Sequence, residues 1–260
     1  MVVTLLTDFG LEDEYVGVLK GVLLSINPSV TIVDLCHQIP PGDLLQANWL
    51  LSWSWPYFPK GTVHLVVVDP GVGSRRRILC LVHKGHLFLA PDNGVLTTVI
   101  REAKKPKIYA VTNRRYALEK ISHTFHGRDI FAPAAGYLSK GLAPHRLGPP
   151  VSSFKRLPLP VPLANRSSLK GQVIGIDRFG NALTNLPEIQ VKRLRRKGSL
   201  QIRLKGRTLR DVRSSYSAVG RGSPLAIIGS RGLLEIALNG GSAAQVLRLK
   251  RGDSVEVTRS

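Results

Sequence analysis

Cysteine is almost missing: the 260 residues contain only Cys36 and Cys80. Both lie in apolar, strand-like runs without metal-ligand or redox spacing, so they read as buried core thiols and no metal site is expected. Long apolar runs are missing too. No segment approaches the length of a membrane span, and the chain reaches Asp8 without a basic start or the apolar core of a signal peptide. A soluble, cytoplasmic protein without a membrane partner is expected. Acids are the third shortage, 17 Asp and Glu against 37 Lys and Arg, for a formal net charge of +20. Such an excess invites a nucleic-acid reading, because a cationic face releases counterions condensed on phosphates. Its distribution points elsewhere. Residues 1–70 hold seven acids against Lys20 and Lys60 alone, and the densest basic stretch, Lys192 to Arg210, alternates arginine with leucine and isoleucine like the wet face of strands. Aromatics make up 6% of the chain, so few are interleaved there for base stacking. A solvated basic surface is favoured, and nucleic acid is not the expected partner.

What is present centres on residues 62–77. Val63 to Val68 form a nearly unbroken apolar run, the pattern of a strand covered on both faces in a parallel sheet. Asp69 ends it, Pro70 removes a backbone donor, and Gly71 and Gly73 permit a sharp turn. Ligands of open α/β sheets sit outside such strand ends.

Val2 to Leu6 read as a first buried strand ending in Thr7-Asp8-Phe9-Gly10, and Asp13 to Leu24 as a helix with acids in its first turn. Val30 to Leu35 are a second strand and Asp43 to Trp55 a second helix. Strand, helix, strand, helix, strand predicts right-handed crossovers and a parallel sheet. Residues 78–82 and 86–89 alternate around Lys84-Gly85 as a hairpin, 107–111 add a strand, and Thr124 to Asp129 open a helix running through Tyr137. The proline-rich stretch 157–163 separates this pattern from short, alternating, glycine-punctuated segments without a long helix, expected to form a small β-barrel or sandwich. The expected fold is an α/β N-terminal domain with a mainly parallel sheet (1–157), a Pro-rich linker (158–170) and a smaller all-β C-terminal domain (171–260).

Asp8, Asp69, Arg76 and His126 fall near one sheet edge or helix start in this scheme. Each alone has an ordinary structural explanation. Together they propose a base held between a carboxylate and a guanidinium, since histidine is neutral near physiological pH and arginine keeps its charge. Six ordered motifs then become recognisable: Thr-Asp-Phe-Gly at 7–10, Val-Val-Asp-Pro-Gly-Val-Gly at 67–73, Pro-Asp-Asn-Gly at 91–94, Thr-Phe-His-Gly-Arg-Asp at 124–129, Asp-Arg-Phe-Gly-Asn-Ala-Leu-Thr-Asn at 177–185 and Ser-Arg-Gly-Leu-Leu-Glu-Ile-Ala at 230–237. With them the chain resembles the S-adenosyl-L-methionine hydroxide adenosyltransferases, hydrolase relatives of the S-adenosylmethionine-dependent fluorinase and chlorinase.

The resemblance implies a C-terminal β-barrel, a homotrimer with sites between subunits, and hydrolysis of S-adenosyl-L-methionine to adenosine and methionine without a further cofactor. It places the family's catalytic triad on Asp69, Arg76 and His126. It implies that Asp8, helped by Asp13, receives the ribose hydroxyls, that Phe179 packs on adenine, and that Asn181 and backbone near Leu238 read its edge. Asp177 and Glu235 would meet the methionine ammonium, and Ser230 and Arg231 its carboxylate. Gly42 departs from the pattern, since relatives often carry an aromatic residue there, and stacking at that point is either lost or supplied by a nearby tryptophan. The rivals are a halogenase of the same fold and a nucleic-acid-binding protein using residues 192–210.

Overall fold

Strand β1 (Val2–Thr7) is buried at five of its six positions, and β3 (Val63–Val67) at all five. A computed structural model describes residues 1–196 and 198–260, in two units divided between Pro158 and Leu159. The first unit also contains β2 (Thr31–Cys36), β4 (Ile78–His83), β5 (His86–Pro91) and β6 (Lys107–Ala110), with helices α1 (Tyr15–Ile26), α2 (Leu44–Ser54), α3 (Thr97–Glu102) and α4 (Ala132–Ser139).

Its six strands run in the order β2-β1-β3-β5-β4-β6. The first four pair in parallel, whereas β4 runs antiparallel to both β5 and β6. The sheet is therefore mixed: three of its five pairings are parallel, and β4 runs against the other five strands. The hairpin is the reason: Lys84 and Gly85 both take positive φ, 47° and 83°, in a two-residue turn that can join only antiparallel strands. One core packs α1 and α4 against the sheet through Leu5, Leu19, Leu23, Leu65, Phe131 and Leu138. Another packs α2 and α3 through Leu6, Leu51, Val66, Phe88 and Val99. Both faces of β3 are thereby covered, and its end is left to carry Asp69.

Local differences have local causes. The acids expected inside α1 precede it, and the helix has no acid in its first turn. Gly73 takes φ +78°, and a Cβ there would run into the His123 carbonyl; Gly71 needs no such freedom. The helix expected from residue 124 begins instead as a wide π-turn, Gly127–Phe131, before α4. Pro133 has no N–H for the Asp129 carbonyl, which instead accepts from the Leu118 amide at 2.8 Å. Cys80 is buried, its thiol pushed up to about 12, whereas Cys36 on the edge strand is half-buried.

The second unit contains β7 (Leu163–Ala164), β8 (Ser168–Ile176), β9 (Ala182–Pro187), β10 (Leu200–Leu204), β11 (Arg207–Arg210), β12 (Val212–Arg213), β13 (Pro224–Ile228), β14 (Leu233–Leu238) and β15 (Ser254–Arg259). They form one sheet, β11-β10-β15-β8-β9-β14-β13-β12, with β7 beside β8, and all pairs but β12 with β13 are antiparallel. Strands β11 and β13 approach each other, so the sheet curls nearly into a barrel around Leu169, Val173, Leu186, Ile202, Leu234 and Val257. Two short helices, α5 (Glu188–Arg195) and α6 (Ala243–Val246), accompany it. Helix α5 corrects the reading of 192–210 as strand throughout. Val191 and Leu194 give it a buried edge, Glu188 lies in its first turn, and Lys192, Arg193 and Arg195 lie in its last turn where the dipole favours cations. Among the described residues no helix is long and apolar enough to cross a membrane.

The β3 run hides a polar chain. Nδ1 of fully buried His64 lies 2.8 Å from Thr4 Oγ1, and its Nε2 lies 3.2 Å from Nδ1 of His86. Burial, with the neighbouring His86, pushes the His64 pKa down to about 3, so the ring is neutral in the folded chain. The unfolded ring titrates near 6.5, and between those values the unfolded state holds more protons. Stability at this site is complete above the unfolded value and is lost as pH falls from about 6.5 toward 3. His64→Gln should flatten that limb, measured as the urea midpoint from about pH 7 to about pH 4; an unchanged slope would remove His64 as its source.

Candidate active site

Thr7 on β1 pairs with Val67 on β3, so parallel pairing sets the ends of the two strands side by side and brings Asp8 close to Asp69. Arg76 returns from the turn after β3, donating from Nε to Asp69 Oδ2 at 2.7 Å, with Nη2 also on that oxygen. The same Nη2 lies 3.0 Å from His126 Nδ1. A guanidinium can only donate, so Nδ1 accepts and the proton of the neutral imidazole sits on Nε2. The Arg76 and Asp69 side chains are 6% and 5% exposed, and the guanidinium also lies over the Phe131 ring. Burial lowers the His126 pKa and the Arg76 charge lowers it further, against the opposing pull of Asp69 and Asp129. Asp69 Oδ1 is buried and has no hydrogen-bond partner among the described residues. It is a carboxylate oxygen kept free while its twin is held by arginine.

Asp8, Asp69 and His126 line one cavity of about 500 Å³. Asp8 Oδ2 accepts the Gly42 amide at 2.8 Å. Burial raises the Asp8 pKa, and nearby Asp69 adds to the rise. Aromatic walls come from Phe9, Tyr15 and Phe125, whose rings meet at 5.1–5.9 Å. No tryptophan is among the lining residues; Trp49 and Trp53 stack on each other instead. Asp13 is exposed and outside the lining, where Glu14 and Tyr15 appear.

In the second unit, Phe179, Asn181 and Leu238 line a separate cavity of about 510 Å³ with Tyr216 and Gly240. Phe179 is 78% exposed, an unusual position for a large ring. Asp177 shapes this turn: Oδ1 accepts the Phe179 and Asn181 amides at 2.9 and 2.8 Å, and Oδ2 accepts Asn181 Nδ2 at 3.0 Å. Glu235 is buried close against Gly229, and its pKa is raised by burial and by Asp177 against the Arg231 charge. Ser230 and Arg231 sit exposed in the turn between β13 and β14, outside this lining. Tyr216 was not anticipated; a lone aromatic among the serines of 214–217 was its signal. Among the described residues no three His, Cys, Asp or Glu side chains group as a metal would require.

An α/β unit with carboxylate, guanidinium and imidazole joined at its strand ends, followed by an all but barrel-shaped unit, defines an enzyme. The chain belongs to the SAM hydroxide adenosyltransferase family: the N-terminal domain model matches residues 3–148 and the C-terminal domain model residues 171–256. It is 41% identical to an (R)-S-adenosyl-L-methionine hydrolase of Thermus thermophilus, over 97% of each chain. It is 30% identical to a fluorinase of Nocardia brasiliensis, over 98% of this chain and 96% of the other. The solved structure of an uncharacterized conserved protein from Thermotoga maritima superposes with a TM-score of 0.93 at 38% identity, over all of both chains.

Arg76→Ala should move the acid limb of the turnover profile to higher pH. Removing the cation that depresses His126 raises its pKa, so the ring protonates earlier as pH falls. Steady-state rates from about pH 5 to about pH 9 read this directly; an acid limb that stays in place or moves down contradicts the assignment.

Proposed function

We propose that the protein hydrolyses S-adenosyl-L-methionine to adenosine and L-methionine, and that its substrate is the (R) epimer at sulfur, the one its hydrolase relatives are named for. The observation that carries the mechanism is the joining of Asp69, Arg76 and His126 beside a cavity of substrate size, which Asp69 and His126 line. A water donating to the Asp69 carboxylate is held with a lone pair free for attack in line on the ribose 5′ carbon. The new carbon–oxygen bond takes its electrons from the water, the carbon–sulfur pair leaves on sulfur as neutral methionine, and the water's proton passes to Asp69. The leaving group needs no acid because the sulfonium is already cationic. His126 cannot take the proton at Nδ1, whose lone pair faces Arg76, and its Nε2 already carries a hydrogen. Asp69 is therefore the base, and His126 and Arg76 hold its charge and direction. A halide nucleophile needs no base, so this arrangement favours water over the halogenase reading.

The remaining roles follow the same reading. Asp8 binds the ribose hydroxyls, with Asp13 assisting from further out. Phe179, Asn181 and backbone near Leu238 hold the adenine, with Tyr216 beside them. Glu235 and Asp177 attract the ammonium group, and Ser230 and Arg231 the carboxylate. The second unit works as a β-barrel, and a homotrimer pairs the first unit of one subunit with the second of its neighbour. The protein works in the cytoplasm, without a further cofactor.

Incubation with each sulfur epimer, with the nucleoside identified by mass, tests the reaction. Adenosine from the (R) epimer is expected, with oxygen from labelled water; a halo-nucleoside that dominates as chloride is raised, or consumption of the (S) epimer alone, overturns it. Asp69→Asn should lower turnover by roughly 100- to 10,000-fold with much less change in substrate affinity. A folded Asp69→Asn enzyme at parental turnover would remove Asp69 as the base. Asn181→Ala should weaken adenosine binding about tenfold by calorimetry, the cost of one hydrogen bond to a desolvated base, and unchanged affinity would remove it from the site.

A further inference from the structure

One residue before Asp8 begins a polar cluster that the reaction does not use. Thr7 is fully buried, and its Oγ1 lies 2.8 Å from Nδ1 of His37, itself 4% exposed. The same hydroxyl oxygen accepts the Phe9 amide at 3.4 Å, and the His37 carbonyl accepts the Gly10 amide at 2.8 Å. Asp8 is thus held on both sides by one pair of residues. His37 Nε2 lies 3.1 Å from Asp34 Oδ1, an electrostatic contact off the line of a hydrogen bond, and Asp34 Oδ2 accepts Lys20 Nζ of α1 at 2.6 Å. The cluster ties the end of β1 to β2 and to α1.

The strand pairing makes this meeting possible. Residues three apart on a regular strand point to opposite faces. Here β2 carries one extra residue, since Leu5 pairs with Asp34 and Leu6 with Cys36, and this irregularity lets Asp34 and His37 meet. The polarity is consistent along the chain: Thr7 accepts from Phe9 and donates to Nδ1, which leaves the His37 proton on Nε2 toward Asp34. Hydroxyl, imidazole and carboxylate in that order resemble a nucleophile triad. Thr7 is fully buried, however, and none of the three lines the 500 Å³ cavity, so no substrate meets the hydroxyl.

We propose that Thr7 and His37 are positioning residues, which aim the Asp8 carboxylate into the cavity by fixing the backbone on either side of it. This rests on the reading of Asp8 as the ribose ligand. Left to itself, the Asp8–Glu14 loop would hold the carboxylate through the Gly42 and Asp8 backbone amides. The Thr7–His37 pair converts a loop side chain into one carried by the sheet, which is how a binding group avoids losing affinity to its own freedom.

The test uses the full-length enzyme. Thr7→Val keeps the shape and removes the donor; His37→Asn places an amide where Nδ1 stands, and His37→Gln places it where Nε2 stands. Thr7→Val and His37→Gln should weaken adenosine binding about tenfold and raise KM with kcat nearly kept, whereas His37→Asn should bind like the parent. In an Asp8→Ala background, Thr7→Val should cost nothing further, because the group it positions is gone. Parental adenosine affinity in Thr7→Val, an equal loss with and without Asp8, or a His37→Asn defect as large as that of His37→Gln would each overturn the proposal. If Asp8→Ala alone leaves adenosine affinity unchanged, the ribose assignment has failed. Amide exchange at Gly10 then decides the positioning: Thr7→Val should speed it about tenfold, and an unchanged rate would end the proposal.

Discussion

A single buried cation joins the groups at the strand ends of the first unit. Arg76 presents one nitrogen to Asp69 and another to both Asp69 and His126, so it neutralises the carboxylate, orders the imidazole and, among the described residues, leaves one carboxylate oxygen without a partner. Removing one member of a buried charged pair strands the other, which is why this cluster constrains its surroundings so strongly. The turn between residues 69 and 76 must bring the arginine back to the aspartate, and Gly73 is the place where only a residue without a Cβ clears the His123 carbonyl. Pro133 sets the other side, by forcing the wide turn that follows His126.

The same economy of polar groups runs through the first unit. Thr4 with His64, Thr7 with His37, and Asn48 with Thr98 pair polar side-chain atoms inside it. Two of these pairs lie on β1, the strand that ends in Asp8.

The basic excess falls largely in the second unit. Leu159–Ser260 holds 19 Lys and Arg against 6 acids, and residues 1–158 hold 18 against 11. In the second unit the cations occupy the last turn of α5 and outward positions of β10 and β11, where they lie exposed and in part ion-paired, as Lys192 is to Glu188 and Arg195 to Asp211.

The sequence alone was enough for the division into an α/β half and a strand-rich half, for the hairpin at Lys84-Gly85, and for Asp8 and Asp69 at strand ends, because apolar periodicity and turn residues are local signals. It also marked Arg76 and His126, through motifs rather than geometry. The place of β6 beside β4 was not legible, since pairing partners are chosen by distant residues; the hairpin reverses β4 alone, so the expected mainly parallel sheet is mixed. Helix α5 was hidden because arginine alternating with leucine serves either period. The tertiary structure decided three things at the site: that Asp69 Oδ1 has no hydrogen-bond partner among the described residues, that His126 turns Nδ1 to arginine, and that Tyr216 joins Phe179 and Asn181 while Asp13 stays outside the cavity lining. Each depends on which atoms of side chains far apart in the chain come within about 3 Å of each other, and no local pattern encodes that distance.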